Sequence, residues 1–217
     1  MVCGHGQPFL SEDGNFKSAA GNRAGLRVRD SPGNHLRELD LRMQILAISG
    51  SLRAASTNTN LLKAAANLAP EDVNLVVYDG LGEIPPFNPD LDTCSPSGAV
   101  TEFRAQLRNS AAVIFSTPEY AHGVPGVLKN ALDWIVASGE LYKKPVAIFS
   151  ASHRGGYAQA SLVETLTVMT ANLVPEACVV APLVERNLDK TIAIADPVFS
   201  NTLRLALQRL RRAIISL

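Results

Sequence analysis

Three short stretches of the chain carry the residue types from which a binding or redox site is assembled. The first, SGSLRAASTN, runs from Ser49 to Asn58 and leads directly into a helix-like run containing Leu61 and Leu62. Gly50 permits close backbone approach, Ser51 and Ser56 offer hydroxyls, and Arg53 offers a bidentate cation. The helix start aims free amide groups at the same point, and the set suits a terminal phosphate dianion. A plainer use of the same residues is Ser56 as a helix N-cap and Arg53 as a solvated loop charge. The second stretch, PEYAHGVPGVLKNALDW, spans Pro118 to Trp134. Its glycines and prolines fix a tight loop, while Glu119 and Tyr120 add a carboxylate and an aromatic face, which together edge a planar heterocycle. Otherwise Tyr120 is a rim aromatic, and Gly123 with Pro125 only punctuates a helix entry. The third, SASHRGGYAQ, spans Ser150 to Gln159 and again places glycines before a helix.

What these stretches lack narrows the chemistry. No GK[ST] follows the first, so it is not a triphosphate loop, and no GxGxxG marks a dinucleotide site. GxSxG and HExxH are missing too, and Cys3, Cys94 and Cys178 are odd in number and without a CxxC pair. Neither a disulfide framework, a cysteine zinc site nor a side-chain nucleophile is expected. The same cysteine usage fits a reducing, cytoplasmic setting.

All three stretches follow apolar runs of strand character. QILAIS, VNLVVYD, AAVIFST, PVAIFSA and EACVVAP alternate with helix-like segments: NTNLLKAAANLA, GAVTEFRAQLRNS, GVLKNALDWIVAS, YAQASLVETLTVMTANL and a last one from about Val198 to Ile215. Short, nearly continuous apolar strands joined by helical crossovers imply a parallel sheet buried on both faces. The expected fold is therefore an α/β doubly wound sheet of five parallel strands with helices on both faces. Its ligand should lie beyond the carboxyl ends of the strands where their order reverses, and with order 2-1-3-4-5 that point lies between the first and third strands.

Composition sets the remaining bounds. Twenty Lys plus Arg balance twenty Asp plus Glu over 217 residues, so there is no basic field for nucleic acid and a small-molecule partner is favoured. No apolar run is long enough to span a bilayer, and the start lacks a signal-peptide layout, so a soluble protein is expected. Residues 1–42 are rich in Gly, Asn, Ser, Arg and Asp without apolar periodicity, and read as a disordered N-terminal extension before a domain at 43–217. Met43 is a candidate translation start within that reading.

GSLRAASTN followed by PEYAHGVPGVLKNALDW resembles the paired signature of the NADPH-dependent FMN reductase family, whose members include quinone, azo-dye and chromate reductases of flavodoxin-like fold. The resemblance runs from Met43 to about Leu188 and takes in EIPPFNPDLD, Glu83 to Asp92, and SASHRGG, although the latter departs from the usual glycine-richer form. It implies that Ser51, Arg53, Ser56 and Asn58 bind the FMN phosphate. Pro118, Glu119, Tyr120, Ala121 and His122 would then frame the isoalloxazine, and Ser150 and Gly155 would close its far edge. It further implies hydride transfer from NADPH, or NADH, to flavin N5 and on to a quinone, azo compound, chromate or free flavin by a ping-pong mechanism, with the protein positioning and polarising the flavin. A homodimer or homotetramer is also implied.

Two other function classes stay beside the reductase: a flavodoxin-type electron carrier, which usually has a strongly acidic docking face, and a non-redox FMN-binding sensor. His122 is read as binding rather than catalytic, and Arg154 as either a contact for the NADPH phosphate or a solvated charge. Lys129 with Asp133 reads as a surface pair, Leu132 and Trp134 as packing, and the RLRR at 209–212 as a solvated helix face.

Overall fold

The expected apolar runs become the sheet. A computed structural model describes residues 43–92, 96–153, 155–181 and 196–217. The expectations for residues 1–42 and for Arg154 lie outside them. β1 (Met43–Ser49), β2 (Val73–Tyr78), β3 (Ala112–Ser116) and β4 (Pro145–Ser150) are all parallel, in the order β2-β1-β3-β4. β1, β3 and β4 are buried almost from end to end, because helices cover both faces and leave no solvent side to select polar residues.

One face carries α1 (Thr57–Asn67) and α5 (Pro197–Ile215), whose Leu61, Leu62, Leu203, Leu207 and Leu210 pack on Ile45, Ala47, Ile114 and Phe149. The other face carries α2 (Gly98–Asn109), α3 (Gly126–Asp133) and α4 (Gly156–Val168), which bury Phe103, Leu107, Leu128, Trp134 and Leu162 against Leu46, Ile48, Val113 and Phe115. Side-chain alternation along each strand is what divides its residues between these two cores.

The fifth sheet position differs from expectation. In place of one strand over EACVVAP, the edge is split into β5 (Asn172–Leu173), which pairs with the start of β4, and β6 (Val179–Val180), which pairs with its end. A 3-10 turn at Pro175–Ala177 separates them, because Pro175 has no amide hydrogen for a ladder. The helix expected over YAQASLVETLTVMTANL is also shorter, ending at Val168. Thr170 turns left-handed (φ 57°), while Thr170 N–H bonds Thr167 C=O at 2.9 Å and Ala171 N–H bonds Leu166 C=O at 3.0 Å. This is a Schellman stop built on threonine where glycine is usual.

The segment between β2 and α2 is held by α3. Asn130 Oδ1 accepts from Phe87 N–H at 2.7 Å, Asn130 Nδ2 donates to Pro85 C=O at 2.9 Å, and Trp134 Nε1 donates to the same carbonyl at 2.8 Å. The Phe87 ring meets Trp134 edge-on at 5.2 Å. Buried Arg104 pairs with Asp92 at 2.9 Å and also donates to Trp134 C=O. Among the described residues no helix is long and apolar enough to cross a membrane.

Candidate functional site

The carboxyl ends of β1, β3 and β4 lie side by side at the reversal of strand order, and the three chemistry-bearing stretches leave from them. Gly50 seals the junction. Its N–H bonds Ser116 C=O at 2.8 Å, and a Cβ at this position would lie 2.5 Å from Thr117 Oγ1 and 3.1 Å from Leu128 Cδ2. Only glycine lets the β1 exit lie this close to the β3 exit.

Past Gly50 the first loop turns into α1. Ser56 is the N-cap, its Oγ accepting from Thr59 N–H at 3.2 Å, and it is buried, so the plainer use of this residue is part of the structure. Asn58 Oδ1 accepts from Ser116 Oγ at 3.0 Å, which leaves its amide hydrogens for a ligand. Thr59 Oγ1 bonds Ser49 Oγ at 2.8 Å, while Ser51 and exposed Arg53 face the cavity between the β1 and β2 exits. Among the described residues Arg53 makes no ion pair, so its charge is available to an anion.

The β3 exit is a two-residue hairpin. Tyr120 and Gly123 exchange both backbone hydrogen bonds, at 3.1 and 2.9 Å, around Ala121 (φ 49°) and His122 (φ 59°). Two successive left-handed residues make a type I′ turn, normally the province of Asn and Gly, so the loop carries backbone strain beside the cleft. Glu119 reaches away from the turn, and its Oε2 accepts from Ala158 N–H at 2.9 Å in the first turn of α4. The N-cap of that helix is Gly155 (φ 119°), which has no side chain with which to cap, so Glu119 supplies the missing acceptor from another loop.

Between the β3 and β4 exits lies a cleft of about 260 Å³, lined by Asn58, Thr117, Pro118, Glu119, Ser150, Gly155 and Gln159 among others. Beside it Tyr120, Pro125 and Val127 face Gly50, Leu52 and Arg53 across an apolar recess of about 480 Å³. The structure therefore distributes the sequence-derived residues. Asn58, Pro118, Glu119, Ser150 and Gly155 share one cleft, Arg53 and Tyr120 the adjoining recess, and Ser51 with Arg53 a third cavity of about 390 Å³. Ser56 serves the helix, and Ala121 and His122 form the turn. Sequence reasoning missed Thr117, Gln159, Leu52 and Lys63, although Thr117 stands at a strand's carboxyl end and that position was its signal. Leu132 and Trp134 are packed in the core, and Lys129 pairs with Asp133 on the surface, as read from their types.

The donor set fits a ligand with a phosphate at one end and a flat ring at the other. A guanidinium that makes no ion pair among the described residues, with the first amides of α1, matches a dianion, while the narrow cleft with its backbone edges and glycine margin matches a planar ring. Half-buried Cys178 lies behind this cleft, where its Sγ accepts from Ile148 N–H at 3.3 Å and burial pushes the thiol above its ordinary value. It stays a protonated packing group.

Residues 43–185 match the profile of the NADPH-dependent FMN reductase family. The chain belongs to that family. Among its curated relatives, an NAD(P)H-dependent FMN reductase of Pseudomonas aeruginosa is 41% identical over 121 residues, which cover 54% of this chain and 65% of the relative. A quinone reductase of Pseudomonas putida is 39% identical over 89 residues, 41% of this chain and 47% of the relative. The alignments thus span about half to two thirds of the length of these relatives. Of solved structures, FerB of Paracoccus denitrificans, a flavoenzyme NAD(P)H:(acceptor) oxidoreductase, superposes with a TM-score of 0.63 at 22% identity, covering 79% of this chain and 98% of its own. That likeness shows the flavodoxin-like fold.

Proposed function

We propose that this protein is an FMN-dependent NAD(P)H oxidoreductase that reduces small electron acceptors of the quinone type, with residues 43–217 as its catalytic unit. The observation that carries the reading is the meeting of the β1, β3 and β4 exits around one narrow cleft, with Gly50 seated on Thr117 and the Arg53 guanidinium in the adjoining recess. Membership of the FMN reductase family supports the same ligand.

Arg53, Ser51, Asn58 and the first amides of α1 would hold the phosphate; Pro118, Glu119, Tyr120, Ala121, His122, Ser150 and Gly155 would border the ring. Bound FMN supplies a ring nitrogen, N5, that takes a hydride from a nicotinamide and passes two electrons to an acceptor. The residues around it bind and orient. Backbone amides beyond β3 and β4 would border the ring edge, and the apolar recess lined by Tyr120, Pro125 and Val127 would flank the ring on one side. A cleft of about 260 Å³ falls below the roughly 300–1,000 Å³ usual for drug-sized ligands, so it admits one ring system and leaves the redox partners to an open face. Nicotinamide and acceptor would use that face in turn, which is the ping-pong arrangement. NADPH is the proposed donor, with NADH also accommodated. A homodimer or homotetramer in the cytoplasm is the proposed working form.

The test is the visible spectrum of the purified protein with FMN, followed by anaerobic NADPH. Bleaching at a catalytic rate and recovery on adding a quinone are expected. Bound flavin that NADPH leaves oxidised would overturn the reductase reading, and failure to bind FMN would overturn the site itself.

A further inference from the structure

Two contacts join the β3 exit to the head of α4, and both involve residues that a sheet of this kind does not require there. The first is the bond from Ala158 N–H to Glu119 Oε2 at 2.9 Å. The second is a parallel stack of the His122 imidazole on the Tyr157 ring, with centroids 4.2 Å apart and planes 18° from parallel. His122 is half of the left-handed pair in the turn, and Tyr157 is the second residue of α4. The two contacts therefore grip the loop before and after Tyr120, one polar and one aromatic, and both anchor it to the same helical turn.

Among the described residues the backbone bonds of the turn close on themselves, between Tyr120 and Gly123, and its conformation is one that Ala121 and His122 adopt at a cost. A strained turn persists only where its surroundings over-determine it. At Gly155 an added Cβ would come into ordinary van der Waals contact with Glu119 Cβ, at 3.6 Å, so the two cleft walls stand about one methyl group apart at their base. Tyr157 is 64% exposed and has no place in the core, so its ring contributes at the surface through the stack on His122.

We infer that Tyr157 is a positioning residue: stacked on His122, it closes a clamp with Glu119 that fixes the spacing of the β3 and β4 exits and so the width of the cleft between them. The inference rests on the reading of that cleft as the FMN site. Tyr157 need not touch the cofactor for this role. It holds His122, which holds the turn, while Glu119 holds the other end, and the wall formed by Pro118 and Glu119 keeps its distance from Ser150 and Gly155.

The experiment compares the wild type with Tyr157→Ala and Tyr157→Phe by two measurements. Amide hydrogen exchange on the flavin-free protein reports the turn itself through Tyr120 and Gly123, and FMN titration reports the cleft. An aromatic stack lost from Tyr157→Ala should speed exchange at those amides and weaken FMN binding by roughly three- to tenfold, whereas Tyr157→Phe, which keeps the ring, should restore both to within about twofold. Tyr157→Ala with wild-type exchange would overturn the clamp whatever happens to FMN. Faster exchange with unchanged FMN affinity would overturn the positioning role, and so would failure of Tyr157→Phe to restore binding. If the wild type itself binds no FMN, the cofactor reading fails, and the exchange data still decide whether the clamp exists.

Discussion

Arg53 is the residue on which the anion end of the site depends, because among the described residues it is a cation at the β1 exit that makes no ion pair, even though Asp79 lines the same cavity. Ser56 Oγ accepts from Thr59 N–H as the cap of α1, which leaves its hydroxyl hydrogen for a phosphate oxygen but supplies no charge. Removing a charge-assisted contact to phosphate typically costs about 1.5–3 kcal/mol, or on the order of 10- to 100-fold in affinity. Arg53→Ala should therefore weaken FMN binding by that factor while leaving riboflavin, which has no phosphate, nearly unaffected. Equal losses for both flavins, or none for either, would take the phosphate away from this loop. Reading residue types along the chain reached Arg53 and Asn58 because each role needs a particular functional group close to a helix start. It did not reach Lys63, which joins Arg53 at the third cavity from more than a turn into α1. Nothing local distinguishes that lysine from any other on a solvated helix face.

At the scale of elements, legibility followed burial. β1, β3 and β4 were plain because strands covered on both faces must be apolar throughout, and α1 was plain because Leu61, Leu62, Ala64 and Ala65 fall on one side of a helix. The fifth sheet position and the end of α4 were not, since one is a strand broken by Pro175 and the other a left-handed stop at Thr170 that no glycine announces. The clamp at the head of α4 was invisible for a different reason. Glu119 and Ala158 are 39 positions apart, and no local pattern shows that a helix starting on two glycines takes its cap from elsewhere. Caps of this kind contribute about 0.5–2 kcal/mol. Glu119→Ala should lower the unfolding midpoint accordingly and increase amide exchange in the first turn of α4. Glu119→Gln keeps an acceptor oxygen and should retain most of the stability. A Glu119→Ala protein as stable as the wild type, with α4 equally protected, would show that the helix needs no borrowed cap.

For the whole molecule, the order of the sheet and the place of the site were readable because topology dictates both: right-handed crossovers settle the winding, and the winding settles which strand ends adjoin. Charge was readable only as a sum, and its effect on stability depends on where individual groups are buried. Tyr78 ends the edge strand β2 with its ring 5.2 Å from Phe103, and burial, aided by Glu102 and Asp79, pushes its hydroxyl up to about 12 from an ordinary value of 10.0. Between those values the folded chain holds a proton that the unfolded chain has lost. The contribution of Tyr78 to stability is therefore complete below about pH 10 and declines as pH rises towards 12. Lys144 has the opposite sign. Burial lowers its ammonium from 10.5 while its Nζ donates to Leu107 C=O and Ser110 C=O, so its contribution falls off towards lower pH. Total stability mixes these slopes, and the difference between wild type and Tyr78→Phe separates them, because the other titrating groups cancel in it. Measured by urea unfolding, that difference should be flat up to about pH 10 and then shift steadily in favour of Tyr78→Phe. A difference that stays constant through the alkaline range would mean that the Tyr78 hydroxyl is as free to ionise in the folded protein as in the unfolded chain, and that the acidic, half-buried end of β2 exerts no hold on it.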